Sequence, residues 1–184
     1  MEKTVELKKA NNTMLLFMLV YAVSYITRIN YAVAIAEIMR AENILKSTGS
    51  LVLTGSFITY GIGQLLSGYL GDVLKPKDVL FGGLFASSVL NLLLPVSTNI
   101  AYTVTIWCMN GLAQAMIWPP LMKITTSLFD AETSKKAFVR ISWGSSFGTI
   151  ALYLLVPVCI VVSGWRLVFL VSALLGFAMS FIWL

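Results

Sequence analysis

The chain has 184 residues, of which 58% are hydrophobic and 11% are charged, and its formal net charge at pH 7 is +5. Soluble domains carry about 25% charged residues, so this composition excludes an ordinary soluble domain and indicates an integral membrane protein. The positive charge follows the membrane topology described below and does not indicate nucleic-acid binding. The two cysteines lie inside apolar stretches, which argues against a disulfide framework, and the chain has no histidine that could act as a proton switch.

Six apolar stretches follow one another, each about as long as the 20 residues that a membrane-spanning helix needs. The first is too long for the core of a signal peptide, so we interpret it as a retained span. A polar segment, residues 1–13, precedes it and is predicted to be a cytoplasmic tail. The predicted spans are 14–39, 51–72, 79–96, 100–129, 137–162 and 164–184. The sequence therefore predicts an all-α polytopic membrane protein with its six helices in one bundle.

The basic residues indicate how these spans are oriented. Nine of the thirteen fall in the tail and in the loops on the same side, three fall on the opposite side, and Arg28 lies inside the first span. Cytoplasmic loops carry an excess of Lys and Arg, so we expect a multi-pass protein of the cell membrane with its N-terminus in the cytoplasm. Six spans return the chain to the same side.

Arg28 is the most informative residue of the first span. It lies about fourteen residues from the start of the span, roughly 20 Å into the bilayer. A charge at that depth costs roughly 2.5–3.5 kcal/mol on insertion scales. At helical spacing its neighbours on the same face are Tyr21, Ser24, Tyr25 and Tyr31. Arg28 is either a structural residue paired with backbone carbonyls or a carboxylate, or an anion-binding residue lining a water-filled cavity; the second is favoured, because intramembrane charges are usually functional.

The second and third spans add further polar positions. In the second, Tyr60 and Gln64 are i, i+4 neighbours that could face a cavity, and Gln64 could equally hydrogen-bond a neighbouring helix. In the third, Asn91 is the one strongly polar interior residue. Small residues recur every four positions in the second span and would let another helix approach closely; they are Gly55, Thr59, Gly63 and Ser67.

The fourth span contains Trp118 followed by Pro119 and Pro120. A double proline interrupts the backbone hydrogen bonds of a helix, and a membrane helix tolerates this only where neighbours or water satisfy the freed carbonyls. Trp118 is either the wall of a cavity or an aromatic residue at the membrane interface. In the fifth span, Gly144 and Gly148 form a GxxxG pair that favours close helix packing.

The sequence offers little for catalysis. It shows no pair of carboxylates suited to acid–base chemistry, no nucleophile beside a base and no cluster of metal ligands. We therefore predict neither an enzyme nor a bound cofactor.

Four segments of the chain resemble the N-terminal half of a major facilitator superfamily transporter, and within that superfamily the organophosphate:phosphate antiporter family of the glycerol-3-phosphate and hexose-phosphate type. The segments are Tyr21-x3-Tyr25-x2-Arg28-x-Asn30; Tyr60-Gly61 through the loop Gly68-x3-Asp72-x2-Lys75-Pro76-Lys77; Asn110-Gly111-x2-Gln114-x3-Trp118-Pro119-Pro120; and Trp143 with the glycines that follow it. They cover nearly the whole chain in order. The resemblance implies six helices arranged as a 3+3 inverted repeat.

The resemblance also implies roles for single residues. Arg28 would grip the phosphate of a substrate, together with a second arginine from a C-terminal half that this chain lacks. The cavity would be lined by Tyr21, Tyr25, Tyr60, Gln64, Trp118, Trp143 and Phe147, and the residues for conformational gating would be Gly68, Asp72 and Lys77.

The chain departs from the family pattern at three of these places. Gln64 stands where the phosphate transporters have a cation, and Phe147 or Ser146 where they have a histidine. Both changes remove positive charge or a protonation site from the cavity. Val73 replaces the usual arginine after Asp72, which weakens the expected cytoplasmic latch.

The expected function is one half of a secondary transporter that moves a small organic anion, such as an organophosphate in exchange for phosphate, by alternating access. Its partners would be the anionic substrate, the lipid bilayer, and a C-terminal half or a second copy of the chain. Two alternatives remain at this point: a membrane-bound sensor of the same family that binds its ligand without transport, and an inactive truncated fragment.

Overall fold

The computed structural model describes residues 2–96 and 98–184 of the chain, and every regular element in these two ranges is helical. The helices are α1 (Glu2–Ala41), α2 (Lys46–Val73), α3 (Pro76–Leu93) with a 3-10 turn at Leu94–Val96, α4 (Ile100–Ala115), α5 (Trp118–Leu128), α6 (Ala131–Ser163) and α7 (Trp165–Trp183).

Six spans in these ranges are long and apolar enough to cross a membrane, with α4 and α5 together forming the fourth, Ile100–Leu128. This confirms the predicted all-α class. Helix α1 already begins at Glu2, so the polar segment predicted as a tail continues the first helix. Helix α6 likewise starts at Ala131, before the predicted boundary at 137. Polar residues extend these helices beyond their apolar stretches, which composition alone does not reveal.

Local signals fix the ends of several helices. The side chain of Asn99 accepts hydrogen bonds from the amides of Ala101 and Tyr102, at 2.9 and 3.2 Å, and so caps α4. The side chain of Asp130 accepts from the amide of Thr133 at 2.7 Å and caps α6; this bond lowers the pKa of the Asp130 carboxyl. Between α6 and α7, Gly164 turns the chain at a positive φ of 79°.

Three helix pairs make the most extensive contacts: α1 with α6, α2 with α4, and α3 with α7. Numbered as spans, these are one with five, two with four, and three with six. A 3+3 repeat relates span one to span four, span two to span five, and span three to span six. Under this exchange the pair one–five becomes the pair four–two, and the pair three–six stays the same. The packing therefore has the symmetry of the predicted 3+3 repeat.

Glycines set the distance between two of these pairs. A Cβ added at Gly144 or Gly148 would meet the backbone of α1 at Met18 or Ala22, and one added at Gly111 would meet the backbone of α2 at Ser56. Backbone therefore lies against backbone at both contacts, as small-residue packing in membranes allows. The predicted GxxxG pair of α6 has this role.

Two buried apolar clusters lie at different levels of the bundle. One contains Phe17 of α1 and Leu121 of α5, and the other contains Tyr31 of α1 and Phe169 of α7. Side chains on the outer face are apolar too: Leu65 is 81% exposed and Val161 is 87% exposed. Such an outer surface is suited to lipid or to another apolar protein surface, and not to water.

Candidate functional site

The guanidinium of Arg28 lies against aromatic rings. Its Cζ is 3.7 Å from the centre of the Tyr60 ring on α2 and 5.5 Å from that of Tyr25 on α1. The residue is half-buried. Within residues 10–96 and 98–184, no hydrogen-bond acceptor and no carboxylate pairs with Arg28; the four ion pairs of this part of the chain all involve other residues. The five N–H donors of the guanidinium therefore remain available to a ligand.

The aromatic surface continues from Arg28 along α1 to α5. The ring of Tyr25 is 5.1 Å from that of Tyr21, and Tyr21 is 4.7 Å from Trp118. We call the surface formed by Tyr21, Tyr25, Arg28, Tyr60 and Trp118 the aromatic groove. It brings together residues of three helices that the sequence predicted to share a cavity, and Trp118 belongs to it through its contact with Tyr21.

The break between α4 and α5 positions Trp118. The amides of Met116 and Ile117 bond back only three residues, to Ala113 and Gln114, at 3.2 and 3.3 Å. The chain thus tightens for one turn before the two prolines, and α5 starts at Trp118.

Gln64 lies beside the same break. Its Nε2 donates to the carbonyl oxygen of Ala115 at 3.4 Å, near the upper limit for a hydrogen bond. The residue is half-buried. The bond to a neighbouring helix, one of the two predicted alternatives, is therefore present but long.

Behind Arg28, a small cavity of about 20 Å³ opens between α1, α2 and α4. Its lining residues are Arg28, Ile29, Ala32, Leu53, Ser56, Phe57, Tyr60, Trp107, Asn110 and Gly111. No acidic residue is among them. Trp107 is not among the residues predicted from the sequence, although Trp107, Asn110, Gly111 and Gln114 recur at i, i+3, i+4 and i+7 and so share one helix face.

Trp143 and Phe147 lie elsewhere. Their side chains are 56% and 55% exposed, and they line a separate open groove of about 280 Å³ together with Met14, Met18 and Arg140. Since Gly144 and Gly148 face α1, the residues that precede them are turned about 100° around the helix axis. Among the described side chains, no ring contact joins Trp143 or Phe147 to the aromatic groove.

The three residues that the resemblance links to gating lie at the end of the bundle predicted to be cytoplasmic. The carboxylate of Asp72 pairs with the ammonium of Lys123 on α5 at 2.7 Å, and Lys123 also donates to the carbonyl of Gly71 at 2.7 Å. The ammonium of Lys77 donates to the carbonyl oxygen of Leu184. A Cβ at Gly68 would meet open space. Lys123, which is not among the residues predicted from the sequence, connects α5 to the end of α2.

A network of buried polar side chains lies on the inner side of α1 next to Arg28; we call it the amide network. Its members are Thr27 and Asn30 on α1, Ser87 and Asn91 on α3, and Asn110 and Gln114 on α4. All six are buried.

The network is centred on Thr27. Its carbonyl oxygen accepts from Asn91 Nδ2 at 2.8 Å and from Asn110 Nδ2 at 3.2 Å, and its Oγ1 accepts from Gln114 Nε2 at 2.8 Å. Asn30 Nδ2 donates to Asn91 Oδ1 at 2.6 Å. Helices α3 and α4 therefore hold the stretch of α1 on either side of Arg28.

Ser87 connects the remaining members of the network. Its Oγ donates to Asn110 Oδ1 at 2.7 Å and accepts from Gln114 Nε2 at 2.7 Å. Each amide of the network thus has a protein partner. Hydrogen bonds of this kind between buried amides stabilise a structure.

Comparison with known proteins identifies the family to which this architecture belongs. The family model of the Major Facilitator Superfamily matches residues 17–184. The chain belongs to this superfamily. Its resemblance to the organophosphate:phosphate antiporter type is confirmed by the curated relatives that it matches.

Three of these relatives are similar to the chain over 88% of its length. They are a probable hexose phosphate transport protein of Chlamydia trachomatis, 25% identical; the membrane sensor protein UhpC of Salmonella typhimurium, 25% identical; and the glycerol-3-phosphate transporter of Bacillus subtilis, 27% identical. The chain spans only 36% of the length of the first and 37% of the other two.

Among solved structures, the chain is similar to a crystal structure of the peptide transporter POT in complex with alafosfalin. The TM-score is 0.73 at 15% identity, over 91% of this chain and 37% of the other. At this identity the likeness shows a shared fold. It supports the prediction that the six helices form half of a major facilitator fold.

Proposed function

We propose that the chain is the N-terminal half of a secondary transporter for a small organic anion, and that Arg28 binds the anionic group. The observation that carries this proposal is the guanidinium itself. It lies within a membrane span, against two tyrosine rings, with none of the described side chains neutralising it. An intramembrane charge without a protein partner is costly, and a bound anion would supply the partner.

The substrate class follows from the groove and from the relatives. A guanidinium binds phosphate or carboxylate through two parallel N–H bonds, and the flanking rings supply a flat wall for the organic part of a ligand. Curated relatives carry the names hexose phosphate transport protein and glycerol-3-phosphate transporter. We therefore propose an organophosphate, exchanged for phosphate. A non-enzymatic function agrees with relatives that are transporters.

The chain covers 36–37% of the length of these relatives, so we propose that a second six-helix unit completes the cavity. A C-terminal half, or a second copy of the chain, would lie against the groove of Arg28 and against Trp143 and Phe147. The N-terminus would be cytoplasmic. Gly68, Asp72 and Lys77 would act at that end as gating residues.

The test compares the expressed protein, with any further sequence that its gene encodes, with its Arg28→Lys variant in a binding assay. The probes are inorganic phosphate, glycerol 3-phosphate, glucose 6-phosphate, galactonate and neutral glucose. Lysine keeps the charge but loses the planar pair of donors. We expect phosphate esters to lose roughly 30-fold to 1000-fold in affinity, the equivalent of about 2–4 kcal/mol. Equal affinity of variant and parent for every probe would show that Arg28 is structural.

Gln64→Lys is a complementary variant. It restores the cation that the phosphate transporters carry in the second helix, so it should shift preference toward doubly charged phosphates. Inorganic phosphate at pH 8 compared with pH 6 provides the readout. An unchanged preference would place Gln64 outside the cavity.

A membrane sensor is the second candidate, because UhpC of Salmonella typhimurium is among the relatives. Both candidates bind the same ligands, so binding does not separate them. Counterflow of labelled glycerol 3-phosphate in proteoliposomes does. A transporter accumulates label against an internal pool of phosphate, whereas a sensor binds label without accumulating it.

A further inference from the structure

The open groove beside Trp143 and Phe147 contains an arginine of its own. We call this surface between the two helices the α1–α6 groove. Each wall follows the helical spacing i, i+3, i+7: Arg140, Trp143 and Phe147 on α6, and Asn11, Met14 and Met18 on α1. None of the described residues that line the groove is acidic. The groove therefore combines one cation with apolar and aromatic walls.

The guanidinium of Arg140 reaches across this groove. Its Nη1 donates to Asn11 Oδ1 at 2.7 Å and to Met14 Sδ at 3.7 Å, both on the opposite wall. In the part of the chain that the structure describes, Nε and Nη2 make no hydrogen bond, and Arg140 forms no ion pair. The edge of the guanidinium that carries Nε and Nη2 therefore keeps its donors. Such an edge binds phosphate or carboxylate through two parallel bonds.

The α1–α6 groove and the aromatic groove follow one another along the same face of α1. Residues of both grooves recur on this helix at alternating spacings of three and four, which places them in one stripe: Asn11, Met14, Met18, Tyr21, Tyr25 and Arg28. Arg28 follows Met14, the contact of Arg140, by 14 residues, which is about 21 Å along the helix axis. Arg140 lies at the end of the bundle predicted to be cytoplasmic. An anion that follows the stripe inward from that end meets Arg140 before it meets Arg28.

We propose that the α1–α6 groove is a second, weaker site for the anion, in which Arg140 binds the anionic group and Trp143 contacts the organic part. The inference rests on the proposed function, because it assigns a site that the anion occupies on its way to or from Arg28. The volume of about 280 Å³ is near the lower end of the range for small-molecule pockets, about 300–1,000 Å³. Arg140 is exposed, so water and salt screen its charge more than that of the half-buried Arg28. Continuity with the aromatic groove argues for a soluble anion as the occupant, and not for a lipid phosphate.

Each of the two grooves contains a tryptophan that can report on it separately. Trp143 lines the α1–α6 groove, and Trp118 lies in the aromatic groove. The expressed protein, with any further sequence that its gene encodes, is labelled with 5-fluorotryptophan and placed in nanodiscs of neutral phosphatidylcholine. It is titrated with glycerol 3-phosphate, or with glycerol as the neutral control, and followed by fluorine NMR. Trp143→Phe and Trp118→Phe assign the two resonances.

We expect glycerol 3-phosphate to shift both resonances and glycerol to shift neither. Arg140→Gln should raise the dissociation constant that Trp143 reports by about fivefold to tenfold, and change the one that Trp118 reports by less than about twofold. Arg28→Lys should weaken the binding that Trp118 reports and spare the binding that Trp143 reports. Lys135→Gln is the matched control, because this exposed cation of α6 does not line the groove, and it should change neither constant.

Three outcomes would overturn the second site while a normal titration of Trp118 leaves the proposed function in place. A Trp143 resonance that never shifts would mean that lipid or the second six-helix unit fills the groove. A Trp143 constant that rises in Arg28→Lys as far as the Trp118 constant would mean that Trp143 only senses binding at Arg28. Equal effects of Arg140→Gln and Lys135→Gln would reduce Arg140 to general surface charge.

The proposed function fails separately, when Trp118 does not respond to glycerol 3-phosphate in the parent. Nanodiscs that contain phosphatidylglycerol test the lipid as the occupant. If this lipid shifts Trp143 and abolishes its response to glycerol 3-phosphate, the groove is a lipid site and the inference is wrong.

Discussion

The aromatic groove and the amide network occupy opposite sides of the same turns of α1, and they treat polar groups in opposite ways. Thr27 is fully buried, and its carbonyl and hydroxyl oxygens accept three side-chain amide bonds. Arg28, the next residue, is half-buried and stacks on rings without an acceptor among the described residues. Polar groups that are satisfied stabilise the bundle, while a polar group left unsatisfied is available for binding. Variants in the aromatic groove should therefore change ligand affinity, and variants in the amide network should change the stability of the fold.

Removing the charge of the groove should have the largest effect. Arg28→Leu deletes the donors that we assign to the anion, so binding of glycerol 3-phosphate should fall at least as far as in Arg28→Lys, by roughly 30-fold to 1000-fold. The unfolding free energy should not decrease, because a leucine in a span is favourable by comparison with an unpaired arginine. Titration calorimetry and unfolding in mixed micelles measure the two quantities. A variant that loses stability would assign Arg28 to the framework.

Breaking the amide network should give the converse result. Asn91→Leu leaves the amide of Asn30 without its partner and removes one donor from the Thr27 carbonyl, so stability should fall by about 1–3 kcal/mol. Asn91 does not line the cavity, so the affinity per folded molecule should hold within about threefold. The control is Ser172→Ala, since this buried hydroxyl donates only within its own helix, to Val168. Similar losses in the two variants would contradict a special role for the network.

The ring contact of Arg28 allows a finer test. Tyr60→Leu removes the ring 3.7 Å from the guanidinium, a cation–π contact worth about 0.5–1 kcal/mol at exposed sites. The affinity for glycerol 3-phosphate should drop about two- to fivefold. Tyr69→Leu, at an exposed position of the same helix, should change nothing. If the two variants behave alike, Tyr60 does not orient the guanidinium.

The smallest effect is expected for a solvent-exposed ion pair, which lies neither in the aromatic groove nor in the amide network. Asp72→Asn breaks the exposed pair with Lys123 and should lower stability by less than about 1 kcal/mol. The difference in stability between Asp72→Asn and the parent should vanish at 1 M salt, where the Debye screening length falls to about 3 Å. Lys123→Gln, alone and together with Asp72→Asn, completes a double-mutant cycle that separates the pair from the bond of Lys123 to the Gly71 carbonyl. A larger loss that salt does not remove would mean that the pair holds α5 against α2.

The sequence predicts most of the fold, since each of the six spans lies on one apolar stretch and spacing alone places Tyr21 and Tyr25 on the face of Arg28. It could not place Tyr60 and Trp118 beside them, because the distance between helices depends on packing; the resemblance supplied those two. Trp107 was missed because the cavity that it lines behind Arg28 forms only when α1, α2 and α4 pack together.

Trp143 and Phe147 are the two residues for which the resemblance to the family and the structure of this chain differ. It predicted that both line the cavity, and the structure places them in a separate groove beside Met14 and Met18. Their role in binding stays a prediction, because it depends on the proposed C-terminal half or second copy that would lie against them. The glycine spacing of α6 already indicated which face meets α1, and hence that the preceding residues are turned away.

The contact of Gly144 and Gly148 with Met18 and Ala22 has a mechanical consequence. A Cβ at either glycine would lie 2.3 Å from a carbonyl oxygen of α1, so the helices can stay this close only while the glycine face of α6 is turned toward α1. Rotation of α6 about its own axis would replace the glycines by side chains and would push α1 away. The two glycines therefore limit how α6 can turn while it remains packed against the helix that carries Arg28.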